Sequence, residues 1–122
     1  VNESGFIRAL HQKLPPEIYR WKVSDRFSAG VADAYYSSSK ADLWIEYKYY
    51  KEGLPKTVKP AISKLQQRWL NARYEEGRNV YVVVGSPTLC LVYKDKEWNK
   101  SKLGTSGISR KELIDWITKE LC

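Results

Sequence analysis

Apolar residues recur along the chain with two different periods, and the switches between them divide it into elements. Phe6, Ile7, Leu10 and Leu14 follow one another at helical spacing, so residues 2–14 are expected to form a helix, with Asn2 as its N-cap and Pro15-Pro16 as its stop. Residues 18–23 (Ile-Tyr-Arg-Trp-Lys-Val) alternate and are rich in β-formers, as are residues 31–36 (Val-Ala-Asp-Ala-Tyr-Tyr) and Asp42 to Lys48. These three strands are followed by a loop over residues 51–60 and a long helix over 60–76, opened by Pro60 and ended by Gly77. On that helix Ile62, Leu65, Trp69 and Ala72 are expected to face inward, with Lys64, Gln67, Arg68 and Asn71 opposite. Residues 79–84 (Asn-Val-Tyr-Val-Val-Val) are almost continuously apolar, which suits a strand buried on both faces, and 88–93 form a fifth strand. Ser109 and Glu112 make a capping box for a last helix. The order is helix, three strands, helix, two strands, helix. It predicts an α/β domain with a mixed sheet of about five strands flanked by helices, the middle helix serving as a crossover.

Two strands carry polar residues that this pattern does not require. In Asp42-Leu43-Trp44-Ile45-Glu46-Tyr47-Lys48, alternation places Asp42, Trp44, Glu46 and Lys48 on one face. Asp33 falls inside the preceding strand, where aspartate is disfavoured, and shares a face with Val31 and Tyr35. A residue set against local propensity is a site candidate. Glu3 lies in the first turn of the first helix, where an acid is also explained by the helix dipole.

Composition sharpens the choice of chemistry. The 122 residues suit one domain, 1–122, with one core. Lys and Arg number 21 against 14 acids, a net charge of +7 that favours a polyanionic partner, nucleic acid or an anionic membrane surface, without choosing between them or proving catalysis. The single histidine, His11, excludes sites built from several histidines and is read as structural or solvated. Cys90 and Cys122 make neither a disulfide framework nor a zinc pair, so a reducing cytoplasm is the expected compartment. No apolar run nears the ~20 residues that span a bilayer, and no secretory signal is visible. Trp98, in the basic stretch 94–107, is expected to pack back on the body rather than stack on a base.

Asp33 and Glu46 on adjacent strands offer hard oxygen ligands for Mg²⁺ or Mn²⁺, with the backbone carbonyl of Tyr47 as a further donor. Lys48 stands two residues beyond Glu46, placed to assist an attacking water or to stabilise charge on a phosphoryl group. The ordered set of Glu3, Gly30-Val31-Ala32-Asp33, Glu46-x-Lys48 and a following helix with Gln67 resembles the PD-(D/E)xK nuclease superfamily. The run Trp21 to Gly30 is similar to the branch of virus-type replication-repair nucleases and phage Holliday-junction resolvases. Ala32 stands where the family motif usually has proline, a backbone-shaping position and not a ligand. The resemblance implies a restriction-endonuclease-like core and a metal-dependent endodeoxyribonuclease, active on branched DNA or as a site-specific or homing enzyme. It also implies that Glu3 joins the metal site.

On this reading Lys51, Lys56, Lys59, Lys64, Gln67 and Arg68 contact the nucleic acid, and a homodimer would pair two sites for a four-way junction. A non-catalytic nucleic-acid-binding domain on the same fold is the alternative. A basic structural protein would leave Asp33 unexplained.

Overall fold

The computed structural model describes residues 2–24 and 30–122. The first helix, α1 (Glu3–Lys13), begins where the Asn2 side chain accepts the Gly5 N–H at 2.8 Å. It stops at Leu14, before Pro15-Pro16. Three strands follow: β1 (Tyr19–Lys22), β2 (Ala34–Ser37) and β3 (Asp42–Tyr49). A short strand, β4 (Thr57–Val58), precedes α2 (Lys64–Glu75), and β5 (Val80–Gly85) and β6 (Leu89–Tyr93) come next. The chain closes with β7 (Lys102–Leu103), β8 (Ile108–Ser109) and α3 (Arg110–Leu121).

Six strands form one sheet in the order β1-β2-β3-β5-β6-β8, while β4 and β7 pair as a separate ribbon. Neighbours in the large sheet are antiparallel except β3 and β5, which run parallel with Glu46 opposite Val82. A parallel pair requires a crossover, and α2 supplies it, as the order of elements predicts.

Strand alternation sends the apolar residues into two cores. Ala34, Tyr36, Leu43, Ile45, Tyr47 and Val83 pack with α1 and α3. Val80, Val82, Val84, Leu91 and Tyr93 pack on the other face with Leu70 of α2 and Trp98. The near-continuous apolar run of β5 is therefore buried on both sides, the condition that such a run satisfies. His11 is structural: its Nε2 meets the Tyr36 hydroxyl at 2.8 Å, and burial together with nearby Arg20 pushes its pKa down to about 4. Arg20 in turn donates to the carbonyls of His11, Leu14, Pro15 and Ile18, satisfying backbone acceptors where α1 ends.

Four sequence expectations change. The central helix starts at Lys64, not at Pro60, because Ser63 and Gln66 form a reciprocal capping box that sets its first turn. Its inward face is also rotated: Leu70 is buried, whereas Leu65 and Ala72 are exposed. The second strand begins one residue after Asp33, which stands at its entrance rather than within it. Finally, the hydrophilic stretch 94–107 contains β7 and two 3-10 turns, while its Trp98 packs back on the body as expected, its Nε1 donating to Asn71 Oδ1 at 3.1 Å. The expected turn-rich connection from Ser24 to Gly30 lies, over residues 25–29, outside the described residues.

Gly85 ends β5 against the ring of Phe6, which would lie 2.4 Å from a Cβ placed there. Phe6 is fully buried, so its ring has little room to yield. Gly85→Ala should therefore lower stability by about 1–3 kcal/mol, as overpacking does. In urea unfolding the midpoint should fall with the slope unchanged. A wild-type midpoint would contradict this packing.

Candidate active site

The parallel pairing of β3 with β5 fixes β3 near the middle of the sheet, and β3 carries Glu46 and Lys48 towards α2. Beside them β2 pairs antiparallel with β3, Ala34 opposite Ile45, so that Asp33 stands opposite Glu46 one step further on. Asp33 is held at the backbone: its carbonyl accepts the Val23 N–H at 2.8 Å, and its Oδ2 accepts the Tyr47 N–H at 2.8 Å. An aspartate at this point costs no ladder bond and closes the hairpin side of the site. Gly30, a few residues earlier, adopts a φ of +86° and lies against the Leu65 carbonyl, where any Cβ would be 2.5 Å from that oxygen. The approach to Asp33 is thus seated on the first turn of α2.

Glu46 is 1% exposed, an extreme position for a carboxylate. Its Oε2 accepts from Gln66 Nε2 at 2.9 Å and lies 3.4 Å from Lys48 Nζ. Its Oε1 is buried and has no hydrogen-bond partner among the described residues. Burial first, then the charge of Asp33, pushes the Glu46 pKa up to about 8, although Lys48 acts in the opposite direction. Glu3 reaches the same cluster from the start of α1. Burial and then the Asp33 carboxylate raise its pKa to about 7. The fold thus brings Glu3, Asp33, Glu46 and Lys48 together from three separate elements.

Among the described residues, no three His, Cys, Asp or Glu side chains are gathered as ligands around one point. The donor set is better matched to a small hard cation held by one or two carboxylates and otherwise by water. The orphaned Glu46 Oε1 and the two raised carboxyl pKa values fit such a cation, since added positive charge would satisfy the first and reverse the second. The Tyr47 side chain points away from the cluster, its hydroxyl 2.7 Å from that of Tyr36, leaving only its backbone beside Asp33.

The glutamine in contact with the site is Gln66 and not Gln67. Gln66 Oε1 accepts the Ser63 N–H at 3.0 Å and lies 3.4 Å from Lys48 Nζ, while its Nε2 binds Glu46. The Ser63-x-x-Gln66 capping box was the available sequence signal, because it places the Gln66 side chain at the helix start beside β3. Gln67 instead lines a shallow depression on α2 with Lys64, Arg68 and Asn71. The other lysines are dispersed. Lys51 borders a cleft with Tyr49, Glu52, Pro87 and Arg110, whereas Lys56 borders another with Gly104 and Thr105, and Lys59 is exposed between β4 and α2. Arg110 was not expected in this setting; its guanidinium lies 5.0 Å from the Phe6 ring centroid.

The carboxyl cluster predicts a pH dependence for the protein without divalent cation. Folded pKa values of about 8 for Glu46 and about 7 for Glu3 exceed the ordinary carboxyl value of 4.5. The folded state therefore holds more protons than the unfolded one, and this contribution is present below pH 4.5 and lost as pH rises through 7 and 8. In EDTA, the thermal midpoint should fall between pH 6 and pH 9, and Glu46→Gln should flatten that fall. Equal slopes for both proteins would show that Glu46 is not the strained group.

No family model matches this chain, and no curated protein sequence matches it. Among solved structures it is similar to Hjc, a Holliday junction resolvase from the archaeal hyperthermophile Archaeoglobus fulgidus. The TM-score is 0.61 at 18% sequence identity, over 91% of this chain and 98% of that one. The mixed sheet with its three flanking helices is therefore the fold of that nuclease.

Proposed function

We propose that this chain is a divalent-cation-dependent endodeoxyribonuclease. The observation that carries the reading is Glu46: a carboxylate 1% exposed, with one oxygen unpartnered, next to Asp33 and within reach of Lys48. A buried acid so placed is destabilised as an anion unless a cation joins it. The net charge of +7 and the shared fold of a junction resolvase support DNA as the substrate.

In this reading Asp33 and Glu46 would hold Mg²⁺ or Mn²⁺, with the Tyr47 carbonyl as a further donor and Glu3 assisting from beside them. When bound, the cation polarises the scissile phosphate and lowers the pKa of a bound water. Lys48 sets its ammonium beside the phosphate and stabilises the negative charge that develops on its oxygens. Gln66 keeps Glu46 and Lys48 in register with each other. Lys64 and Arg68 on α2, and the dispersed Lys51, Lys56 and Lys59, contact the backbone of the DNA. The substrate we favour is branched DNA, such as a four-way junction, cut by a homodimer whose two sites address paired strands.

Asp33→Ala, Glu46→Ala and Lys48→Ala should each reduce cleavage by about 100-fold or more while DNA binding persists. Supercoiled plasmid incubated with Mg²⁺, Mn²⁺ or EDTA provides the assay, followed by junction, flap, duplex and single-stranded substrates. Absence of cation-dependent nicking on every substrate would favour a non-catalytic binding domain instead. Removing Lys64 and Arg68 should weaken binding to all sequences alike and flatten its salt dependence by about one unit of slope per lost phosphate contact. Loss confined to particular sequences would make them base readers.

A further inference from the structure

The sheet face that bears Glu46 also bears a row of aromatic side chains that the cleavage chemistry does not use. Trp21 of β1 stands opposite Tyr35 of β2, and Tyr35 opposite Trp44 of β3. The Tyr35 and Trp44 ring centroids are 4.7 Å apart, and Trp44 meets Trp69 of α2 edge-on at 5.1 Å. The row therefore runs from α2 to the open edge of the sheet. At that edge no described residue covers it: Trp21 is 46% exposed and Tyr19, two residues back on the same face, is 58% exposed. Cross-strand aromatic pairs stabilise a sheet, which accounts for Tyr35 and Trp44. It does not account for a tryptophan and a tyrosine left in solvent on an edge strand.

The row is in register with the carboxylates. Tyr35 and Trp44 each lie two residues from Asp33 and Glu46, along strands that rise about 3.3 Å per residue, so the aromatic row and the acid row are about 7 Å apart. A phosphodiester held at the acids has its neighbouring bases within reach of the aromatics. The local charge selects bases over phosphates, for Tyr35 donates its hydroxyl to the Asp42 carboxylate at 2.6 Å, and an anion there repels the backbone.

We infer that Tyr19 and Trp21, backed by Tyr35 and Trp44, form a stacking platform for unpaired nucleobases flanking the phosphodiester at the carboxylate cluster. The platform rests on the nuclease reading for its orientation, but base binding can be measured without cleavage. Aromatic faces accept any base, so the platform favours strands that are unpaired next to the cut and carries no sequence preference. Continuous duplex keeps its bases stacked on one another and gains nothing from it.

The test compares a single-stranded oligothymidylate with a blunt duplex of equal length by fluorescence anisotropy in EDTA. Trp21→Ala should lower the ratio of single-strand to duplex affinity about tenfold, and Trp21→Phe should restore most of it, as base-on-aromatic stacking requires. An oligonucleotide carrying 2-aminopurine should show quenching with the wild-type protein that Trp21→Ala removes. Because Trp21 is on an edge strand and half-exposed, a thermal melt will show whether Trp21→Ala folds; if it does not, Tyr19→Ala carries the same expectation. An unchanged affinity ratio overturns the platform. So does a sedimentation result in which wild type self-associates and Trp21→Ala does not, since the row would then join two copies. Either outcome with plasmid nicking intact removes the platform alone, whereas loss of nicking in wild type removes the nuclease reading alone.

Discussion

Placing the Glu46 carboxylate almost entirely out of water is the constraint to which the surrounding structure answers. An acid in that position raises its own pKa, and Asp33 and Glu3 beside it raise the cost further. Lys48 offsets part of that repulsion, and Gln66 satisfies one of the two oxygens. The other oxygen has no hydrogen-bond partner among the described residues. The cost is local, since burial and the neighbouring acids both disfavour the Glu46 anion.

Several features far apart in sequence serve this arrangement. The β2–β3 hairpin brings Asp33 opposite Glu46 through local pairing. The parallel β3–β5 pair keeps β3 interior, so that Glu46 is shielded by Val82 beside it and by α2 above. α1 contributes Glu3 because its N-terminus, capped by Asn2, is directed towards the same end of the sheet. Gly30 matters for its lack of a side chain, since any Cβ would strike the Leu65 carbonyl and move the segment that leads to Asp33.

Much of this was legible from residue patterns. The three helices, the five principal strands and the crossover followed from periodicity, and Asp33, Glu46 and Lys48 stood out by their placement, whereas Glu3 entered only through the family resemblance. What was misread has physical causes. Periodicity placed Leu65 and Ala72 inward on α2, but the helix is rotated to set Gln66 over Glu46, a polar contact that an apolar stripe cannot reveal. Asp33 was taken as a strand residue because its neighbours favour strand, while its carboxylate bonding to the Tyr47 N–H holds it at the threshold. The short pairing of β4 with β7 was invisible because Thr57–Val58 and Lys102–Leu103 are too brief to show alternation. Lys51 and Lys56, close along the sequence, border different clefts, a separation that their spacing does not reveal.

The capping box of α2 has one consequence beyond its role in starting the helix. The first turn of a helix is ordinarily where fraying is easiest, since its N–H groups lack intrahelical partners. Here the side chain that closes that turn, Gln66, is also the one that grips Glu46 and neighbours Lys48. Opening the turn therefore also removes the hydrogen bond that Gln66 makes to the buried Glu46 carboxyl, so the helix end and the carboxyl cluster depend on one side chain. A displacement of the exposed start of α2 therefore reaches Glu46 through Gln66.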